Sequence, residues 1–313
     1  MSLLIVGTVA FDKIETPHGK TEKILGGAGT YIGIAASYFT DKTNLVSVIG
    51  DDFPDKYLQI LHDHKINTDG IQIVNGGKTF FWEGKYHTDM NNRDTLVTEL
   101  NVLAEFDPKI PENYQNCEFL MLGNLEPNIQ RKVLRQLKKR PKIVVLDTMN
   151  FWMDIAWDAL IETISIVDIL TINDEEARQM SGEYSLVKAA RKILTMGPKY
   201  LIIKKGEHGA LLFDKEENSF FSPALPLEEV FDPTGAGDTF AGGFIGYLVK
   251  TNDLSFENMK RAIIYGSAMA SLTVEKFGTD NITYLKSSEL NDRIKTFKDL
   301  VEVDIKQMYF SRE

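Results

Sequence analysis

The chain has 313 residues, 43% of them hydrophobic, enough for one large core or two smaller ones. Its formal charge of −10 leaves no broad basic face for nucleic acid, so a polyanionic ligand would have to meet local positive groups. A single cysteine, Cys117, excludes an intramolecular disulfide and any multi-cysteine metal site, and fits a reducing cytoplasm.

No apolar run approaches the roughly 20 residues of a spanning helix. The amino terminus reaches Gly7 too soon, and with too few basic residues, for a signal peptide. A cytoplasmic chain with neither membrane nor nucleic-acid partners is expected. Leu3 to Val6 is a continuous apolar run, which predicts a strand buried on both faces. Asp12 emerges just past it, and in open α/β sheets ligands gather at strand ends. Residues 13 to 25 read as polar and irregular. A small-residue helix opens at Gly26, Gly27 and Gly29 and continues past Tyr31 through Ala36 to Tyr38. Leu45 to Gly50 predicts a strand, and Pro54 to His64 a helix.

From Ile71 to Leu100 the rhythm changes to short strands and turns, rich in aromatics (Phe80, Phe81, Trp82, Tyr86) and without a helical period. This predicts a small β flap inserted into an α/β chain and joined by residues 13 to 25. Its aromatics would either pack the small sheet or stack on a flat ring or sugar face. After Pro111 the alternation is regular, with strands at 119–123, 143–147, 169–173 and 200–204. Helices are predicted over 127–139, 152–163, 174–181 and 185–196, then over 239–250, 256–275 and 287–299. Such alternation implies a mainly parallel sheet with right-handed crossovers. Asp12, Asn124, Glu126, Asp147, Asn173 and Lys204 should then line one of its edges.

The turn from Asp232 through Pro233, Thr234, Gly235, Ala236 and Gly237 to Asp238 leads straight into an apolar helix. Unpaired N–H groups of residues 235 to 237 at that helix start would form an anion cradle. Asp238 beside it reads either as a base for a hydroxyl attacking a bound phosphate or as a carboxylate stabilising the helix dipole. Asn173 and Glu176, one helical turn apart, suit water-mediated Mg2+ binding or an ordinary helix cap. Two Gly-Lys-Thr triplets, at 19–21 and 77–79, lack the strand and first glycine of a phosphate-binding loop. Gly27 and Gly29 lack the last small residue of a dinucleotide fingerprint, which leaves a dehydrogenase weakly supported.

Together these residues resemble the ribokinase-like (PfkB) carbohydrate and nucleoside kinase family from residue 3 to about 285. The resemblance rests on Asp232 to Gly243, on Gly26-Gly27, on Asn173 with Glu176, and on Lys204 to Gly209. It implies a three-layer α/β/α domain spanning residues 1–313, with a mainly parallel sheet and a lid formed by residues 13–25 and 71–100. It implies an ATP-dependent kinase in which Asp238 is the base and the 235–237 amides the anion hole. Asp12, Gly26, Gly27, Tyr31 and Glu126 would then bind the acceptor, and Asn173, Lys204, Gly206 and Gly209 the nucleotide. Asn173 and Glu176 would organise Mg2+ through water, while Asp232 and Thr234 stand where some relatives hold a monovalent cation such as K+. A homodimer joined through the lid would fit the same pattern. The acceptor expected first is the hydroxymethyl group of a sugar. Tyr31, where sugar kinases carry Asn, and the absence of Arg from residues 147–152 keep a ribonucleoside as the alternative. A catalytically silent ligand sensor is a third reading, against which the presence of Asp238 speaks.

Overall fold

The computed structural model describes residues 1–302, so the end of the domain expected over 1–313 lies outside the described residues. In chain order the first elements are β1 (Leu3–Val6), β2 (Ala10–Thr16), β3 (Gly19–Lys20), β4 (Ile24–Gly26) and α1 (Ala28–Ser37). They are followed by β5 (Thr43–Gly50), α2 (Asp55–Asp63), β6 (Ile66–Val74), β7 (Phe81–Tyr86) and β8 (Arg93–Glu99). The regular α/β part comprises β9 (Phe119–Leu122), α3 (Pro127–Gln136), β10 (Ile143–Asp147), α4 (Asn150–Ile155), α5 (Trp157–Ile164) and β11 (Ile169–Asn173). It continues with α6 (Asp174–Ser181), α7 (Leu186–Leu194), β12 (Tyr200–Lys204), β13 (Ala210–Asp214) and β14 (Ser219–Ser222). Four helices close the described chain: α8 (Ala236–Thr251), α9 (Phe256–Thr273), α10 (Asp280–Thr283) and α11 (Ser287–Val301).

Nine strands form one sheet in the order β14-β13-β12-β11-β10-β9-β1-β5-β6. From β12 to β6 every neighbour is parallel, and the antiparallel β13 and β14 finish one edge. The apolar runs of its central strands are explained by helices on both faces. Leu3, Ile5, Phe119, Met121 and Val145 join the core beneath α1, α8 and α9. Their immediate neighbours Leu4, Val6, Leu120, Leu122 and Val144 join the core beneath α3, α5, α6 and α7. A period of two along each strand therefore feeds two separate cores.

Helix α8 lies unusually close to its neighbours, and its glycines are the reason. A Cβ on Gly242 would stand 2.5 Å from the Ile32 carbonyl of α1, and one on Gly243 would stand 2.8 Å from Met269 of α9. Among the described residues no helix is long and apolar enough to cross a membrane.

The second sheet runs β3-β2-β7-β8, with β4 paired to β2. Here the local reading needs correction. Residues 13–25 are not irregular, because the polar faces of β2 and β3 are satisfied by cross-strand ion pairs such as Lys20–Glu15 at 2.7 Å and Lys13–Glu83 at 3.0 Å. Ile71–Val74 does not belong to the flap but continues β6, the edge strand paired to β5. The helix expected near 152–163 is two helices, broken at Ala156, whose φ of −141° and ψ of 36° lie outside the helical region.

Candidate active site

The glycine turn is fixed before the helix begins. The Asp232 carboxylate, fully buried, accepts the Thr234 N–H at 2.9 Å and the Gly278 N–H at 2.8 Å, tying the turn to the loop beyond α9. Both carboxylate oxygens of Asp232, one of the two residues expected near a monovalent cation, thus already take one backbone donor each. Gly235 adopts φ +73°, and a Cβ there would lie 2.4 Å from the ring of Tyr31. Only glycine accepts both demands.

The N–H groups of Gly235, Gly237 and Asp238 have no acceptor among the described residues, as the start of a helix requires. The cradle differs from the expected one at a single position. The Ala236 N–H is donated to the Pro233 carbonyl at 3.2 Å, so Asp238 supplies the third free amide in its place. This helix start is half-buried rather than sealed in the core.

Around it stand the carboxyl ends of three adjacent parallel strands. Asp147 closes β10, Asn173 closes β11 and Lys204 closes β12. The Lys204 ammonium donates to both Asp147 oxygens at 3.1 and 3.2 Å, and it would lie 3.2 Å from a Cβ on Gly237. Lys204 is therefore beside the helix-start amides. Burial alone would lower its pKa, but Asp147, Glu176 and Asp238 together raise it, which keeps it charged. Asn173 and Glu176 form a reciprocal cap on α6. The Glu176 N–H donates to Asn173 Oδ1 at 2.8 Å, and the Asn173 N–H donates to Glu176 Oε2 at 2.7 Å. Desolvation, against the pull of Lys204, lifts the Glu176 carboxyl to about 7. Desolvation, aided by the Asp147 charge and opposed by Lys204, likewise lifts Asp238 to about 7.

A second group of acids sits under the small sheet. Asp12, on β2, is buried, and desolvation together with Asp232 and Asp238 raises it to about 7. Gly26 touches its carboxylate so closely that a Cβ would overlap Oδ2 at 2.0 Å, and Gly27, at φ +94°, approaches the Thr8 carbonyl. The Tyr31 hydroxyl is buried with no hydrogen-bond partner among the described residues. Burial holds its pKa well above the ordinary value, reinforced by Asp12 and Asp232.

Three expected residues have other contacts. Glu126 uses its carboxylate on the start of α3, accepting the Ile129 N–H at 3.0 Å and the Asn128 side chain at 2.6 Å, so its expected place among acceptor ligands has no support in the geometry. Gly206 and Gly209 shape the loop after β12. A Cβ on Gly206 would stand 2.9 Å from Asn91 of the small sheet, and one on Gly209 would overlap the Ser222 carbonyl at 2.0 Å. The local reading named Tyr86 only among the aromatics of the flap, not as the partner to which Thr234 donates at 3.2 Å, and it placed Asp147 at a strand end without a partner. Only the strand-end position of Asp147 could have been read from the chain.

The buried acids make a stability prediction. Folded Asp12 and Glu176 hold protons up to about pH 7, whereas the ordinary values are 3.8 and 4.5. Their stabilising effect is complete at low pH, below the unfolded values, and is lost as pH rises through the folded ones. The ligand-free protein should melt at a higher temperature at about pH 5.5 than at pH 8, and Asp12→Asn should flatten that difference. An unchanged pH slope in the variant, followed by calorimetry, would refute the assignment to Asp12.

A mainly parallel sheet carrying free helix-start amides, a high-pKa acid and a half-buried lysine at its carboxyl edge is the frame of a phosphotransferase with an alcohol acceptor. The chain belongs to the pfkB family of carbohydrate kinases, which it matches over residues 3–285. It is 32% identical over 287 residues to the cytidine kinase of Thermococcus kodakarensis, covering 90% of this chain and 99% of that one. Its fold is similar to that of a putative ribokinase II from E. coli in complex with ATP and Mg2+, at a TM-score of 0.77 and 20% identity, over 94% of this chain and 99% of that one. It is also similar to a Burkholderia thailandensis nucleoside kinase in complex with inosine, at a TM-score of 0.76 and 18% identity, over 96% and 98% of the two chains.

Proposed function

We propose that this kinase transfers the γ-phosphoryl group of ATP to the ribose hydroxymethyl group of a pyrimidine ribonucleoside, with cytidine as the first candidate. The full-length likeness to a cytidine kinase supports this order of acceptors over a free sugar. The observation that carries the reading is structural. Asp12 on β2 and Trp82 on β7 are direct partners in parallel register, so both side chains face the same side of the small sheet. Neighbouring strands are about 4.8 Å apart, close to the offset between a sugar and its base. Trp82 lies flat across Gly84, where a Cβ would overlap the indole at 2.1 Å, and it stays half-exposed. An acid for ribose hydroxyls thus adjoins a platform for a planar base.

The residues present fit a nucleotide and its metal. Three free amides at 235, 237 and 238 and the Lys204 ammonium suit a terminal phosphate. No three metal-ligating side chains cluster among the described residues, which suits Mg2+ held by phosphates and waters beside Asn173 and Glu176 rather than by a protein cage. Mg2+ would neutralise phosphate charge during transfer. Asp12 orients the ribose, the small sheet covers it as a lid and excludes water, and Asp238 accepts the hydroxyl proton while the amides hold the transferring group.

ADP release over a panel of nucleosides and sugars, with and without K+, tests the proposal. Cytidine should exceed ribose and fructose in kcat/KM, and Trp82→Ala should reduce kcat/KM for cytidine by at least about tenfold. Preferential turnover of a free sugar would overturn the acceptor assignment.

A further inference from the structure

A second cleft opens between the turn from β9 into α3 and the break between α4 and α5. Its volume is about 600 Å³, within the range of small-molecule sites. It shares no lining residue with the helix-start site. Glu126, Trp152, Asp154, Trp157 and Asp158 contribute to its walls. Glu126, which the sequence placed among the acceptor ligands, thus lines a different space.

Two properties of this cleft rarely occur together on a solvated surface. Phe151, Ile155 and Trp157, all within two turns of the break at Ala156, are 47%, 62% and 39% exposed, a concentration of large apolar side chains that water disfavours. The Trp152 indole N–H is already donated to Asn124 Oδ1 at 2.8 Å, so what that residue has left to offer is its apolar ring. The carboxylates of Glu126, Asp154 and Asp158 stand on the same walls, and no basic residue lines the cleft. Glu126 accepts the Ile129 N–H and the Asn128 amide, and Asp154 accepts the Gln179 amide at 2.8 Å, all of them neutral donors. Arg131, the first base after Glu126, is spent on Glu162 and Asn128.

We propose that this cleft binds a linear aliphatic polyamine, its methylenes against the indoles of Trp152 and Trp157 and its ammonium groups on the surrounding carboxylates. Exposed ion pairs alone hold little and are screened by salt. An ammonium over an indole face, with its methylenes along an apolar wall, keeps its attraction in salt. A bare metal ion would gain only the first effect, and a neutral sugar only the second. An anion would be drawn by the start of α5, but Asp158 in the first turn already meets that field. A basic protein segment shares the chemistry of a polyamine, yet a stable protein interface needs far more area than this cleft presents.

The proposal rests on neither the acceptor nor the placement of the phosphates. Calorimetry with spermidine, at about 0.15 M NaCl and without ATP or Mg2+, tests it on the whole chain. One spermidine should bind per chain. Trp157→Ala should weaken binding at least about fivefold, and Asp154→Asn combined with Asp158→Asn should do the same. Both variants alter exposed side chains and should keep the parent melting temperature. The chain has three tryptophans, so in a Trp82→Phe background only Trp152 and Trp157 emit, and spermidine should change that emission saturably. Absence of binding, variants that bind as the parent does, or equal displacement of spermidine by Mg2+ at the same ionic strength would overturn the proposal. Binding of an oligolysine peptide but not of spermidine would also overturn it, and would mark the cleft as part of a protein-docking surface.

Discussion

Replacing Asp238 by Asn should leave a folded, nucleotide-binding protein whose kcat is lower by about 10²- to 10⁴-fold, the usual contribution of a positioned general base. The substitution preserves shape and one acceptor oxygen but removes the ability to take a proton, so it separates the two roles open to an acid at a helix start. Were Asp238 only an electrostatic partner of the α8 dipole, its loss would cost about 0.3–1 kcal/mol of stability and little turnover. As a base it should leave a second mark. Its carboxyl stands at about 7, raised by desolvation and by Asp147 against Lys204 and Arg93, so the base is protonated under acid conditions. The parent kcat/KM should therefore fall about tenfold per pH unit below that value. The variant should lose this limb, and initial-rate profiles between pH 5.5 and 8.5 read both outcomes. Parent-like turnover in Asp238→Asn, measured as ADP release, would falsify the base assignment.

Gly235→Ala should be the most damaging single methyl in the site. The residue holds φ +73°, where an L side chain costs about 1–2 kcal/mol. The new Cβ would also sit 2.4 Å from the Tyr31 ring, which is itself 1% exposed and cannot withdraw. Overpacking of this kind costs about 1–3 kcal/mol more. The strain can be relieved only by moving the turn, and the turn carries the free amides of residues 235, 237 and 238. A displacement of about 1 Å in such donors is enough for a hundredfold loss of rate. Thermal unfolding and kcat should therefore fall together in this variant. A melting temperature and turnover indistinguishable from the parent would show that the cradle is not where the phosphate is held.

The two variants also separate what could be read locally from what could not. The role open to Asp238 was visible because glycines, a helix start and an acid follow one another within a few residues. The free amides expected at 235 to 237 are shifted by one donor, because the turn bond from Ala236 to Pro233 depends on the φ of Gly235. Glu126 looked like a strand-end ligand and proved to be a helix cap, a choice made by the path of the chain into α3. Residues 13–25 looked irregular because polar strands in a small two-sided sheet lack the apolar alternation by which strands are recognised.

By itself the sequence determined the succession of buried strands and helices, the phosphate-sized turn before α8 and its neighbouring acid. All of these depend on residues close along the chain, where backbone preference and apolar period act directly. Tertiary structure alone decided that Asp12 pairs with Trp82 some 70 residues away, and that Lys204 meets Asp147. It also decided the proton affinities, since a carboxyl is moved from its ordinary value to about 7 only when other parts of the chain take away its water.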